Sequence, residues 1–220
     1  MAKQIAYNMD CMEAMREMPD KAFELAIVDP PYGIDFAKTH TGKGWTVRES
    51  KDWDKETPDK NYFLELFRVS KNQIIWGGNY FTEFLPPKMG WVFWDKGQRD
   101  FSLADGELAW TSFNRALRAF NYSRASLNQT RTGFHPTEKP VALYEWLLTN
   151  YAKPGDKILD THLGSGSSRI AAYNLGFDFV GYEIDADYFA AQEERFNKHT
   201  AQIRFFDLAP KQETEQLQII

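Results

Sequence analysis

Short apolar runs alternate with stretches of helical periodicity along almost the whole chain. The apolar runs predict strands at residues 4–7, 24–28, 73–76, 91–94, 108–111, 157–159 and 178–182. The intervening stretches predict helices at 58–69, 141–151, 167–175 and 186–198, with Thr57 and Asp185 as N-caps and Gly176 as a C-cap. Strands that alternate with helices favour a parallel sheet covered on both faces. The sequence therefore predicts an α/β fold: a doubly wound, mostly parallel, Rossmann-like sheet with helices on both faces.

The length and composition suit one compact domain spanning residues 1–220. The chain has 220 residues, of which 43% are hydrophobic and 15% aromatic, enough for a single well-buried core. It has no apolar run long enough to cross a bilayer and no signal-peptide pattern, so we expect a soluble, cytoplasmic protein. Its single cysteine, Cys11, and four scattered histidines predict neither a disulfide nor a metal site.

Two segments interrupt the alternation. Residues 33–57 form a long polar insertion with Gly33, Gly42 and Gly44 as flexible points and Trp45 and Trp53 as anchors, and we interpret it as a lid loop. Residues 114–133 are basic and rich in aromatic side chains, and we interpret them as a short target-recognition segment.

Positive charge is concentrated in one part of an acidic chain. The net charge of −5 argues against non-specific coating of nucleic acid. Residues 108–137 nevertheless contain no Asp or Glu, and they carry Arg115, Arg118, Arg124 and Arg131. These arginines are candidates for DNA contacts, with ordinary solvated surface as the alternative.

A glycine-rich turn joins a predicted strand to a predicted helix at Asp160-Thr161-His162-Leu163-Gly164-Ser165-Gly166-Ser167. Arg169 stands where a dinucleotide fingerprint has its third glycine, and no phosphate-binding P-loop occurs, so a pyrophosphate ligand is not expected. A cofactor with an adenosine and no phosphate needs a close backbone approach and a downstream acidic residue for its ribose, and Glu183 supplies that residue. A GxG turn alone is weak; the strand, the helix and Glu183 together favour cofactor binding.

The strand at 24–28 leads into Asp29-Pro30-Pro31-Tyr32. Two prolines remove two N–H donors, so this backbone offers acceptors only, and the Asp29 carboxylate adds another. Such a site suits a guest that donates hydrogens, as an exocyclic amine does, while Tyr32 offers a face for stacking a planar base. On local physics alone, a stiff turn leaving a core strand stays open as the alternative.

Three motifs together resemble the DNA methyltransferases that modify amino groups, making N6-methyladenine or N4-methylcytosine. They are Asp29-Pro-Pro-Tyr, His135-Pro-Thr-Glu-Lys-Pro and Gly164-Ser-Gly, in the order of the beta class of that family. The resemblance implies S-adenosylmethionine as cofactor, DNA as partner, and Asp29, Pro30, Pro31 and Tyr32 as catalytic residues. With the glycine-rich turn, it implies a cofactor site formed by Asp10, His135, Thr137, Lys139, Pro140, Asp160, Thr161, His162, Gly164, Ser165, Gly166, Ser167, Glu183 and Asp185. One departure is Asp160-Thr-His, where the family usually has Asp-Pro-Phe.

The resemblance implies methylation of a flipped-out base by direct transfer, as in restriction-modification enzymes. Asp at position 29 usually accompanies adenine in that family, so N6 of adenine is the predicted target, with N4 of cytosine as the alternative. Methylation of RNA or a small amine, and a non-catalytic nucleic-acid-binding module, also stay open. C5-cytosine chemistry is remote, because Cys11 lies in no Pro-Cys motif. A homodimer is left open beside a monomer.

Overall fold

The computed structural model describes residues 2–34, 56–99 and 104–208, and it confirms the predicted α/β fold. The strands are β1 (Gln4–Asn8), β2 (Phe23–Val28), β3 (Ser70–Trp76), β4 (Trp91–Asp95), β5 (Gly106–Thr111), β6 (Arg118–Asn121), β7 (Lys157–Asp160) and β8 (Asp178–Glu183). The helices are α1 (Cys11–Glu17), α2 (Lys60–Val69), α3 (Arg124–Thr130), α4 (Val141–Tyr151), α5 (Ser167–Asn174) and α6 (Ala186–Leu208), with a short 3₁₀ turn at Gly78–Tyr80.

The strands in the described residues form one sheet in the order β1-β8-β7-β2-β3-β5-β4-β6. Only β5 among them runs against its neighbours, so the carboxyl ends of the other strands lie along the same edge. The strand order reverses direction between β7 and β2, which are paired in the middle of the sheet. A reversal of this kind leaves a crevice at the carboxyl ends of the two strands, where open α/β sheets bind ligands.

Strand β2 shows how the sheet divides the core between its two faces. Leu25 and Ile27 pack in the cluster that includes side chains of α4 and α5, whereas Ala26 and Val28 pack in the cluster that includes α1 and α2. Successive side chains of a strand point to opposite faces, so a continuous apolar run is what a doubly covered strand requires. Full burial of each Leu or Ile contributes roughly 1.5 to 3 kcal/mol.

The helix ends follow local capping chemistry. Helix α4 matches its prediction, and the Asp185 carboxylate caps α6 by accepting from the backbone N–H groups of Asp187 and Tyr188 at 2.9 and 3.0 Å. Helix α2 begins later than predicted, because Asp59, and not Thr57, accepts from the Tyr62 N–H at 3.1 Å.

The predicted recognition segment, 114–133, contains strand β6 and helix α3, which the apolar pattern did not indicate. Most of the predicted lid loop, residues 35–55, lies outside the described residues. No helix in the described ranges is long and apolar enough to cross a membrane.

Candidate functional site

The sequence motifs meet at one edge of the sheet. Asp29-Pro-Pro-Tyr follows β2, the glycine-rich turn follows β7, and Glu183 ends β8, and these three strands are neighbours. The sheet therefore brings the predicted catalytic and cofactor motifs to the crevice where the strand order reverses.

The glycine-rich turn is held by two buried carboxylates. Gly164 and Gly166 have φ angles of +50° and +74°, a left-handed conformation that favours glycine. Glu183 accepts from the Gly164 N–H at 2.8 Å and from the Asp185 N–H at 2.9 Å. Asp160 accepts from the Ser168 hydroxyl at 2.5 Å and from the His162 N–H at 3.0 Å. Burial raises the pKa of Asp160 to about 7, against the effect of these hydrogen bonds.

A cavity of about 130 Å³ opens beside this turn. Of the predicted cofactor residues, the ones that line it are His135, Thr137, Lys139, His162, Gly164, Ser165, Glu183 and Asp185, and Pro31 and Asp29 also line it. The His135 ring packs against Tyr188 with centroids 4.6 Å apart. The His162 ring meets the edge of Tyr62, and burial lowers the pKa of His162 to about 4.

The remaining predicted cofactor residues are not among those that line this cavity, and several of them lie at helix starts. Asp10 caps α1 by accepting from the Met12 N–H at 2.8 Å, Pro140 precedes α4, and Gly166 precedes α5. The hydroxyl groups of Thr161 and Tyr62 share a hydrogen bond of 2.7 Å, and those of Ser165 and Ser167 share one of 3.1 Å.

A second cavity, of about 340 Å³, lies on the other side of Asp29. Pro30, Tyr32, Trp94, Glu107, Arg124 and Arg131 are among its lining residues. Asp29, Thr137 and Lys139 line both cavities. The predicted catalytic carboxylate thus borders both the smaller cavity and the larger one.

The Asp29 carboxylate is embedded in charged and polar partners. One oxygen accepts from the Tyr32 hydroxyl at 2.6 Å, and the other is bonded to the Lys139 ammonium. Lys139 also pairs with Glu107 at 3.1 Å, and Glu107 pairs with Lys96 at 2.6 Å. Burial raises the pKa of Asp29, and Lys139 opposes that rise. For Glu107, burial acts upward, but Lys139 and Lys96 together bring its pKa to about 2.

The Tyr32 ring is held by partners that the sequence did not indicate. It stacks on Tyr80 with centroids 5.0 Å apart and planes 14° apart. A side chain at Gly77, which has a φ of +68°, would overlap the Tyr32 ring. The 3₁₀ turn after β3 therefore supports the aromatic side of the site.

Glu138, within His135-Pro-Thr-Glu-Lys-Pro, links the segment after α3, beside the larger cavity, to the glycine-rich turn beside the smaller one. Its carboxylate accepts from the Thr132 backbone and hydroxyl at 3.0 and 2.7 Å, just after α3, and pairs with Arg195 at 3.0 Å. Arg195 in turn donates to the Ser165 carbonyl at 2.8 Å. Neither Glu138 nor Arg195 was predicted as a site residue, because an ordinary Glu–Arg pair carries no sequence signal of its partner.

Two of the four predicted DNA-binding arginines lie at the edge of the sheet with the cavities, and the other two lie at the opposite edge. Arg124 and Arg131, at the two ends of α3, line the larger cavity. Arg118 is at the start of β6, which runs parallel to β4, so it lies at the end away from the cavities. Arg115 lies at that same far end, where it donates to the Asn150 carbonyl at 2.5 Å and stacks over Tyr151.

Comparison with known proteins agrees with the motifs. Residues 94–194 match the model of the N6/N4 DNA methylase family, a range that includes the His135 and Gly164 motifs and leaves out Asp29-Pro-Pro-Tyr. The chain is 25% identical over 239 residues to the type II methyltransferase M2.DpnII of Streptococcus pneumoniae, covering 88% of this chain and 89% of that protein.

Solved structures share the fold. A complex of M1.HpyAVI with SAM superposes with a TM-score of 0.59 at 19% identity, covering 88% of this chain and 98% of that one. The cytosine-N4-specific PvuII DNA methyltransferase gives a TM-score of 0.59 at 14% identity, covering 92% and 93%. In its three motifs and in these matches, the chain is similar to the amino-methylating (N6/N4) DNA methyltransferases.

Proposed function

We propose that this protein transfers a methyl group from S-adenosylmethionine to the N6 amino group of adenine in DNA. The observation that carries the proposal is the position of Asp29, which lines both cavities, with Pro30 beside it on the larger one. A methyl donor in the smaller cavity and a flipped base in the larger one would meet beside this carboxylate.

The smaller cavity suits an adenosine-containing cofactor by its donor set. Glu183 and Asp185 line it, and each oxygen of the Glu183 carboxylate keeps a lone pair for a ribose hydroxyl after accepting one backbone N–H. Gly164, with its left-handed backbone and no side chain, lets a ligand approach closely. When bound, S-adenosylmethionine supplies an electrophilic methyl group on a sulfonium.

The larger cavity suits a flipped base. An amino group on an aromatic base is a weak nucleophile because its lone pair is delocalised into the ring. If the Asp29 carboxylate and the Pro30 carbonyl accept its two hydrogens, the lone pair is directed at the methyl carbon. In such a transfer a carbon–nitrogen bond would form as the sulfur–carbon bond breaks, S-adenosylhomocysteine would leave, and one amine proton would pass to the Asp29 carboxylate or to water. Flipping costs a few kcal/mol, which stacking on Tyr32 offsets at roughly 1 to 3 kcal/mol.

Adenine is proposed over cytosine on the identity of residue 29. In the resembled family, Asp at this position usually accompanies adenine and Ser usually accompanies cytosine N4. N4 of cytosine is the second candidate, since the PvuII enzyme, described as cytosine-N4-specific, has the same fold.

Expression in a methylation-free bacterium, followed by single-molecule sequencing of its genome, tests the proposal. We expect N6-methyladenine at a recurrent short sequence in cells with the parent chain and none with Asp29→Ala. N4-methylcytosine instead would favour the second candidate. An unmodified genome, with folded protein present, would favour a non-catalytic module or another amine acceptor.

A further inference from the structure

Four charged side chains form a line that ends at Asp29. The Lys139 ammonium lies between the carboxylates of Asp29 and Glu107, and the second oxygen of Glu107 pairs with Lys96. The Lys139 side chain is only 2% exposed, and its ammonium also lies 5.3 Å from the centre of the Trp76 ring. A buried ammonium between two carboxylates is costly to desolvate, so such an arrangement survives only with close partners.

The proposed role of Asp29 requires an ionised carboxylate, whereas burial of this side chain favours the neutral acid. A target amine donates its hydrogens, so the carboxyl group must be ionised to accept from it. Removal from water favours the neutral acid, whose hydroxyl would present a donor to the amine. A neighbouring positive charge favours the ionised form, and Lys139 is the ammonium bonded to Asp29.

We propose that Lys139 is a positioning residue, held in place by Glu107 and Lys96, that keeps the Asp29 carboxylate ionised and oriented for the target amine. This role rests on the proposed function, because it concerns the same carboxylate. Glu107 has two opposing effects: it fixes Lys139 in place, and its own negative charge makes ionisation of Asp29 harder. The directions of the pKa shifts agree, since the Lys139 charge lowers the pKa of Asp29 and the Glu107 charge raises it.

Other titratable groups near Asp29 do not reproduce this pattern. They are Tyr32 beside it, Tyr62 of α2, Tyr144 of α4, Asp160 of β7 and His162 after β7. Burial raises the pKa of all three tyrosines, so they stay neutral, and burial lowers the pKa of His162 to about 4. Asp160 is itself titratable, with a pKa raised to about 7 by burial and further by the charge of Asp29, so its signal is followed beside that of Asp29 in each variant.

Substitutions of the two partners are therefore expected to shift Asp29 in opposite directions. The carboxyl carbon of Asp29 is followed by ¹³C NMR against pH, and its signal is assigned by its loss in Asp29→Asn. In Lys139→Met the midpoint is expected to rise by roughly 1 to 3 in pH, because a neighbouring cation lowers a carboxyl pKa by about that much. In Glu107→Gln the midpoint is expected to fall below that of the parent, because Gln keeps an oxygen that can accept from Lys139 and removes only the negative charge.

Matched controls replace the same residue types in surface pairs distant from the cavities. Lys71→Met breaks the pair with Glu24, and Glu65→Gln breaks the pair with Arg68. Both are expected to leave the Asp29 midpoint unchanged. If Lys139→Met does not fold, Glu107→Gln still decides, because an upward or absent shift there overturns the proposal. Shifts of the same sign in the two variants overturn it as well.

The pH profile of methylation links the charge effect to the reaction. With a DNA substrate, the acidic limb of single-turnover methylation is expected to move up in Lys139→Met, move down in Glu107→Gln, and return toward the parent in Lys139→Arg. A parent that never methylates DNA would refute the proposed function and leave the NMR result standing. An acidic limb that stays fixed while the NMR midpoints move would overturn the role of Lys139 in the reaction.

Discussion

The hydroxyl of Tyr32 donates a hydrogen bond to a carboxylate oxygen of Asp29 at 2.6 Å. The side chain that is proposed to stack on the target base therefore already uses an acceptor that is proposed for the amino group of that base. Both residues belong to one tetrapeptide after β2, and Tyr80 supports the ring from the side. A carboxylate oxygen has two lone-pair sites, so a target amine that uses this oxygen either shares it with the phenol, weakening that hydrogen bond, or displaces the phenol.

Tyr32→Phe is expected to retain methylation and to lower the KM for DNA by up to about fivefold. The ring remains for stacking, and the amine no longer weakens or displaces a hydrogen bond that contributes about 1 kcal/mol net. Tyr32→Ala is the matched comparison, expected to reduce kcat/KM by roughly 5- to 150-fold through the loss of 1 to 3 kcal/mol of stacking. Steady-state kinetics separate the two. If Tyr32→Phe is as impaired as Tyr32→Ala, then the hydroxyl itself is required.

Gly164→Val and Glu183→Ala are expected to weaken S-adenosylmethionine binding. Gly164 has a φ of +50°, and a Cβ there would lie 3.1 Å from a His135 ring nitrogen, so a branched side chain strains the turn and fills the cavity. Glu183→Ala removes the acceptor for the Gly164 and Asp185 N–H groups as well as the proposed ribose contact. Calorimetry measures both affinities. Asp29→Ala is the control, expected to bind the cofactor within a few-fold of the parent; parental affinity in both loop variants would place the cofactor elsewhere.

The central strands and the motif positions were predictable from sequence because they depend on short-range patterns. The four residues before Asp29, at 25–28, are all apolar, as a strand covered on both faces requires, and the glycines at 164 and 166 mark a turn before a helix. Parallel strands then bring both motifs to one edge of the sheet. The cofactor-side cluster of Gly164, Glu183 and His135 follows from these facts.

The partners of Asp29 were not predictable in the same way. Glu107 is the second residue of β5, which runs antiparallel to both of its neighbours. That direction brings the first residues of β5, and not its last ones, to the edge of the sheet where the cavities lie. Lys139 was predicted as a cofactor contact. In the structure its ammonium donates a hydrogen bond to Asp29, which is 110 residues away in the chain. Strand β6 was missed because Arg118 and Asn121 make it too polar to resemble a strand, although β4 pairs with it.

His162→Phe is expected to make the protein less sensitive to acid. Burial lowers the pKa of His162 in the folded protein to about 4, below the value of about 6.5 in an unfolded chain. The unfolded state therefore binds more protons as pH falls through this window, so the parent loses stability from about pH 6.5 down to about pH 4. Phe keeps a ring against Tyr62 and carries no charge.

Urea unfolding at a series of pH values measures this effect as the difference in unfolding free energy between variant and parent. The difference is expected to be constant above about pH 6.5 and to grow in favour of His162→Phe below it. Contributions of other groups, including Asp160, largely cancel in the difference. A pH-independent difference would show that His162 is accessible to protons without cost in the folded state.

Replacing the arginines of α3 is expected to weaken DNA binding, whereas replacing Arg118 is not. Arg124 and Arg131 line the larger cavity, and Arg118 is exposed at the far end of the strands. At physiological salt, charges interact over roughly 8 Å, so local positive charge near the cavity outweighs the net −5 of the chain. An arginine that contacts a phosphate should weaken binding to all sequences alike and reduce the salt slope by about one when replaced.

DNA affinity is measured against salt concentration for Arg124→Ala, Arg131→Ala and Arg118→Ala, with the methylated sequence mapped for each. An arginine that reads a guanine edge would instead relax the recognised sequence, at about 1 to 3 kcal/mol of discrimination. Arg118→Ala is the matched control because it removes the same charge at the opposite end of the sheet. Equal losses in all three variants would mean that the DNA path reaches β6, and three variants identical to the parent would exclude both α3 and β6 from the interface.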